Sequence, residues 1–162
     1  MLRASLWVVL LAAVATASCG PTVDLTKGLQ VVDVSTGWWD AGVVPGEGQN
    51  KLVPSVTFKF KNISDQTLNI LQANVVFRRV TEDKEWGSSF VKITGSEGLA
   101  PGATSESQTV KSQLGYTGSE SRQQMLANSQ FVDAKIQIFA KYGSIQWQKV
   151  GEYAVPRTLI TK

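Results

Sequence analysis

Hydrophobic and polar residues alternate with period two along much of the chain. The clearest case is residues 53–62, where Phe58 and Phe60 alternate with Lys59 and Lys61. Strict alternation is typical of a β-strand with one buried face and one face in water. We therefore predict that both phenylalanines lie in the core of a central strand and that both lysines face solvent.

Similar patterns predict further strands, and turn-forming residues separate them. One segment, residues 119–128, is instead predicted to form a short helical insert with Ser119 as its N-cap. About seven strands joined by short turns favour an all-β, antiparallel, immunoglobulin-like sandwich, with an up-and-down barrel as the alternative. The other predicted strands are residues 29–36, 67–80, 86–94, 104–111, 131–142 and 145–155.

The segment 37–51 is predicted to be a long loop, because it is rich in glycine and ends in turn-forming residues. It begins with the neighbouring tryptophans Trp38 and Trp39. Two exposed rings on a loop would suit contact with a ligand or partner, so both residues are candidate site residues. The alternative is that at least one ring fills an open end of the sandwich core.

The N-terminus has a different pattern. Arg3 precedes an apolar run over residues 6–15, and small residues follow up to Cys19. A short cationic start, an apolar centre and a small-residue stretch predict a secretory signal peptide. The run is too short for a membrane-spanning helix, which needs about 20 apolar residues.

Cys19, the only cysteine, follows the small residues Ala17 and Ser18. This arrangement resembles the lipobox of bacterial lipoproteins, although Thr16 stands where Leu or Val is usual. The resemblance implies cleavage before Cys19 and lipidation of its thiol. The alternative is cleavage after Ala17 by the ordinary signal peptidase, which would release a free protein.

These signals predict a signal peptide over residues 1–18, a polar tether over residues 19–27 and one domain over residues 28–162. A bacterial lipoprotein cysteine carries two or three acyl chains, and more than one anchoring signal is needed for stable membrane attachment. Gly20, rather than an acidic residue, follows Cys19. In a Gram-negative host this resembles lipoproteins sorted to the periplasmic face of the outer membrane.

Composition narrows the chemistry. The sequence has no histidine and a net charge of +3. Serine or cysteine catalysis with a histidine base is therefore impossible, and zinc or copper sites of the usual kind are not supported. Basic residues are scattered, so nucleic-acid binding has no electrostatic footprint. We expect no cofactor, no metal and no enzymatic activity; an enzyme built on carboxylates alone is the alternative.

Two further motifs have simple structural interpretations. The acidic residues of the tip 81–85 could bind calcium, but Lys84 interrupts them and calcium needs six to eight oxygen ligands, so we expect a solvated hairpin. Asn62, Ile63 and Ser64 form a glycosylation sequon. We expect a turn there, because asparagine and serine side chains hydrogen-bond their own backbone.

Three stretches of sequence carry a resemblance to a family: residues 56–64, residues 73–77, and the Pro101-Gly102 turn in residues 99–104. Together they resemble small immunoglobulin-like domains of bacterial surface proteins, closest to the FxLYD-like group, many of whose members are lipoproteins. The F-x-L-Y-D string itself is missing. The resemblance implies an envelope β-sandwich with no established catalytic residues.

The sequence thus favours a lipid-anchored envelope protein with a non-catalytic β-sandwich. Its expected partners are the membrane, through the lipid anchor, and another envelope component, most simply a protein. A glycan-binding module that uses Trp38 and Trp39 is the alternative function.

Overall fold

The computed structural model describes residues 21–160. The predicted signal peptide and Cys19 lie outside this part of the chain. The elements in chain order are α1 (Leu25–Gly28), β1 (Leu29–Val43), β2 (Asn50–Asn62), β3 (Gln72–Arg79), β4 (Glu85–Lys92), β5 (Gln108–Lys111), β6 (Tyr116–Gly118), α2 (Arg122–Ala127), β7 (Ala134–Lys141), β8 (Gln148–Val155) and β9 (Leu159–Ile160).

The strands form two sheets. One sheet has the order β5-β2-β1-β9, and β6 pairs with β2 beyond the end of β5. The other has the order β4-β3-β7-β8. All pairings are antiparallel except that of β1 with β9. The chain changes sheet after β2, β4, β6 and β8, so that strands adjacent in space are often distant in sequence.

This arrangement confirms the predicted all-β sandwich. The first, second and fifth strands share a sheet, while the third, fourth, seventh and eighth share the other. That division corresponds to the A-B-E and C′-C-F-G sheets of immunoglobulin-like domains. The additional strands β6 and β9 are three and two residues long.

One core lies between the sheets. Phe58 and Phe60 have no exposed surface, while Lys59 is half-buried and Lys61 is exposed. The predicted facing of β2 is therefore confirmed. The four-stranded sheet contributes alternating residues from its two central strands, all without exposed surface: Ala73, Val75, Phe77, Ala134, Ile136, Ile138 and Ala140.

The predicted loop over residues 37–51 is wrong. β1 continues through both tryptophans to Val43, and only the turn between β1 and β2 separates it from Asn50. A bulge interrupts the alternation, because the β1–β2 register shifts between Val32 and Ser35. Gly37 is needed in the strand, since a Cβ atom there would lie 2.7 Å from Ile160 Cγ1. The glycine marks a close approach rather than a loop.

The helical insert is present but shorter than predicted. It begins after Ser121, not Ser119, and the Ser121 side chain accepts a hydrogen bond from the backbone N–H of Gln124. Gln124 closes a capping box by accepting from the backbone N–H of Ser121. The reciprocal Ser121–Gln124 pair decides which serine caps the helix.

The predicted tether also needs correction. Asp24 caps the single helical turn α1, and Val23 and Leu25 are 8% and 0% exposed within the core. The segment from Val23 onward is therefore part of the domain. Two buried side chains are too few to show a periodic pattern in the sequence. The polar composition of the segment was then the only signal, and it predicted a tether.

Within residues 21–160, neither helix has the length and apolar character required to cross a membrane.

Candidate functional site

Trp38 lies in the core and not at a binding surface. Its ring has no exposed area and packs edge-on against Phe131 at 4.6 Å between centroids. Tyr116 and Trp86 surround it at 5.7 Å and 6.3 Å. We call these four residues the end cluster. The prediction of an exposed ligand-binding ring is wrong for Trp38, and the alternative that one ring fills an end of the sandwich is correct.

Trp39 points to the opposite side of β1, as adjacent residues of a strand must. It lies on the outer face of the five-stranded sheet, opposite Val53 and beside Ile160. The Lys111 ammonium stands 3.2 Å from its ring centroid, a cation–π contact that covers one face of the ring. A ligand contact by Trp39 stays a prediction, but the ring is half-buried and already has a partner.

Arg157 ties the end cluster to the C-terminal segment. Its guanidinium stands 5.2 Å from the Phe131 ring centroid. It also donates hydrogen bonds to the Asp133 carboxylate at 2.6 Å and to the Phe131 carbonyl at 2.8 Å. These contacts hold the chain between α2 and β7 in place. The role of Arg157 is therefore structural, because its guanidinium already has partners within the domain.

A cavity of about 150 Å³ adjoins the end cluster, lined by Tyr116, Glu120, Met125 and Phe131 among others. Pockets for drug-sized ligands usually measure about 300–1,000 Å³. The only acidic side chain in this lining is that of Glu120. The cavity therefore lacks the two facing carboxylates that an enzyme without histidine, built on Asp and Glu alone, would need.

The outer face of the four-stranded sheet carries an exposed aromatic surface. Phe90, on β4, is 72% exposed, and its ring contacts that of Trp147 at 5.8 Å between centroids. In the strand register Phe90 lies opposite Asn74, which lies opposite Phe139 on β7. We call Phe90, Phe139 and Trp147 the aromatic strip. It crosses the sheet from one edge strand towards the other.

Two groups beside the strip are buried although they belong to the outer face of the sheet: the Val76 side chain and the Asn74 side-chain oxygen. Val76 points to this outer face but is only 4% exposed. The Asn74 side-chain oxygen is buried and accepts no hydrogen bond from the residues that the structure describes. A buried acceptor without a donor is costly in free energy. The Asn74 oxygen thus lies beneath the strip without a hydrogen-bond donor among the described residues.

Two lysines lie beside the aromatic strip. Lys141 stands 5.0 Å from the Trp147 ring centroid, and Lys149 lies opposite Phe139 in the register. On the next row, Glu152 accepts hydrogen bonds from Gln137 at 2.7 Å and Lys149 at 3.2 Å. These bonds lower the pKa of Glu152 below its ordinary value.

The other sequence motifs have structural roles. Asn62 is fully buried; its amide donates to the Leu99 and Gln66 carbonyls, and its oxygen accepts from Ser64. The sequon is therefore a turn, as predicted. At the acidic tip Glu82 pairs with Arg79 at 2.9 Å. Residues 21–160 contain no group of three or more metal-ligating side chains.

Neither a protein-family model nor a curated protein sequence matches this chain. Two solved structures resemble it at 13% sequence identity. One is the Northeast Structural Genomics Consortium target SoR45, with a TM-score of 0.44 over 82% of this chain and 89% of that one. The other is a Bordetella pertussis protein given the name ApaA, with a TM-score of 0.46 over 80% and 93%. Neither likeness is close enough to indicate a shared function.

Proposed function

We propose that this chain is a lipid-anchored protein of the bacterial cell envelope, held by acylated Cys19, whose β-sandwich binds another envelope protein and catalyses no reaction. In a Gram-negative host its place is the periplasmic face of the outer membrane. The lipobox-like N-terminus supports the anchor. The absence of histidine from the sequence argues against the commonest catalytic and metal-binding arrangements.

The observation that carries the binding function is the exposure of Phe90. A phenylalanine that is 72% exposed on the outer face of a sheet, next to Trp147, is unfavourable in water and useful at an interface. Aromatic residues are enriched in the centres of protein interfaces, and a polar rim commonly surrounds them. The aromatic strip and its lysines have this composition.

The alternative of a glycan-binding module built on Trp38 and Trp39 loses its support. Trp38 is in the core, and Lys111 covers a face of Trp39. The rings of the exposed Phe90 and the half-buried Trp147 are inclined by 53°, so they do not form one flat shelf for a sugar. A protein partner fits a tilted pair of rings better.

The anchor is tested with the variant Cys19→Ser. The wild type should partition into the detergent phase, and its mature N-terminal peptide should carry the mass of the acyl chains. The variant should lose both properties. Processing and membrane retention of the variant at the wild-type level would contradict the lipoprotein proposal.

The binding surface is tested by photo-crosslinking in the native host. A photoreactive amino acid is placed at Phe90 in one protein and at Leu114, which is 51% exposed on a different part of the surface, in the control. A specific protein adduct is expected at position 90 and not at position 114. The same adducts with equal yield at both positions would show that the aromatic strip is not the contact surface.

A further inference from the structure

The first described residues, from Pro21 onward, are hydrogen-bonded to one end of the sandwich. Gln66 donates a hydrogen bond from its side chain to the Pro21 carbonyl at 2.7 Å. The backbone N–H of Val23 donates to the Tyr142 hydroxyl at 2.6 Å, and that of Leu25 donates to the Gln148 side-chain oxygen at 2.9 Å. With Val23 and Leu25 also in the core, the point at which the chain enters the domain is fixed.

Backbone hydrogen bonds join the turns at this end of the molecule. The N–H of Ile63 donates to the Gly28 carbonyl, that of Ile70 to the Gly95 carbonyl, and that of Gly143 to the Asn69 carbonyl. We call this surface, formed by residues 21–28, 62–71, 93–103 and 142–146, the Pro21 end. The turns after β1 and β3 lie at the opposite end, because those strands begin at the Pro21 end and run away from it.

Only two residue steps separate Cys19 from Pro21. Two residues span at most about 7 Å even when fully extended. The polar headgroup layer on each side of a bilayer is of similar thickness, roughly 5–7 Å. If the acyl chains of Cys19 lie in the hydrocarbon, Pro21 cannot be much farther out than the headgroups.

Two exposed isoleucines lie at the Pro21 end. Ile63 is 53% exposed and Ile70 is 46% exposed. Ile70 has a φ of 51°, a left-handed conformation that is a genuine outlier for a β-branched residue. A strained backbone that presents an isoleucine to the outside suggests a role beyond the core.

We infer that the Pro21 end rests on the lipid bilayer, with Ile63 and Ile70 in contact with the headgroup interface. This inference depends on the proposed lipidation of Cys19 and deepens it, because it sets the orientation of the domain. The β1 strand, roughly 45 Å long at about 3.3 Å per residue, then rises from the membrane. The aromatic strip faces sideways, where a partner in the same membrane can reach it.

The test uses single cysteines as sites for an environment-sensitive fluorophore. Cys19 is the only cysteine of the chain, and lipidation consumes its thiol, so an introduced cysteine is labelled alone. Ile63→Cys and Ile70→Cys probe the Pro21 end. Val43→Cys and Val80→Cys are matched controls, since Val43 and Val80 are 55% and 47% exposed at the opposite end. The mature lipoproteins are bound to vesicles of phosphatidylethanolamine and phosphatidylglycerol that contain a nitroxide-labelled lipid quencher.

We expect blue-shifted emission and strong quenching at positions 63 and 70, and the emission of a fluorophore in water at positions 43 and 80. Equal quenching at all four positions, or water-like emission at all four on vesicle-bound protein, would overturn the orientation. Mass spectrometry of the mature N-terminus separates the two proposals. An unacylated Cys19 refutes the anchor and this inference together, whereas acylated, vesicle-bound protein without quenching at positions 63 and 70 refutes the orientation alone.

Discussion

At the scale of single residues, neighbours on a strand can have opposite energetic roles. Phe58 is fully buried and contacts Phe60 at 5.1 Å between ring centroids. Lys59 points outward and pairs with Asp33 at 2.9 Å. Burial of aromatic area is worth several kcal/mol, whereas a surface ion pair contributes little.

We expect Phe58→Ala to lower the free energy of unfolding by about 3–5 kcal/mol, because it removes a large core side chain. Lys59→Ala should lower it by less than about 1 kcal/mol, since the lost ion pair is at the surface and open to solvent on the Asp33 side. Urea denaturation followed by tryptophan fluorescence measures both. Similar losses for the two variants would mean that the facing of β2 is wrong.

Asn62 is a polar residue with a structural role in the buried interior. Each of its side-chain atoms that can hydrogen-bond does so, and its donors satisfy the Leu99 and Gln66 carbonyls at 2.7 Å and 2.8 Å. Asn62→Ala would remove both of these donated hydrogen bonds, at a total cost of about 1–3 kcal/mol, while the Leu99 carbonyl keeps its bond from the Leu68 N–H. Asn69→Ala, at an exposed asparagine of the same end, should change the unfolding free energy by less than about 0.5 kcal/mol. Comparable losses in thermal or urea unfolding would refute a buried structural role for Asn62.

Alternation identified Phe58 and Phe60 because lysines mark the opposite face of the strand. It could not decide between Trp38 and Trp39, since two adjacent aromatic residues contain no such marker. The structure buries one and leaves the other half-buried beneath Lys111. The exposure of Phe90 could not be predicted from the sequence either. Aromatic residues in a strand are usually expected in the core, and nothing in the local pattern indicates that Phe90 lies on the outer face.

At the scale of elements, helix α2 depends on the chemistry of its first turn. Ser121 satisfies a backbone N–H of that turn and receives the matching bond through Gln124. Ser121→Ala should therefore lower the free energy of unfolding by about 1 kcal/mol. Ser119→Ala is the matched control, since Ser119 is exposed and precedes the cap. A greater loss for Ser119→Ala in urea denaturation would restore the sequence-based assignment of the cap.

The long strands could be predicted because each has one wet face and one buried face over many residues. β6 and β9 could not, since three and two residues are too few to show a period. The continuation of β1 through Gly37 could not be predicted for another reason. The glycine is required by Ile160, a residue far away in sequence, and no local pattern contains that information.

At the scale of the whole molecule, a chain with one cysteine has no disulfide to close the sandwich. The two sheets are joined by their shared core, by the end cluster at one end and by the N-terminal segment at the other. Val23 and Leu25 bring this segment into the core, and Gly28 fits closely beneath it, since a Cβ atom there would lie 2.5 Å from Val23 Cγ1. The N-terminal boundary of the folding unit should therefore lie before Val23.

Two truncated proteins test that boundary. A protein that begins at Gly20 retains every buried side chain of residues 21–160, and we expect it to fold as a stable water-soluble domain. A protein that begins at Leu29 lacks Leu25, whose removal alone should cost about 2–5 kcal/mol. It also leaves Tyr142 and Gln148 without their backbone partners. The urea midpoint should fall markedly from the first protein to the second. Equal midpoints would mean that residues 21–28 add nothing to the stability of the domain, as the predicted tether over residues 19–27 implies.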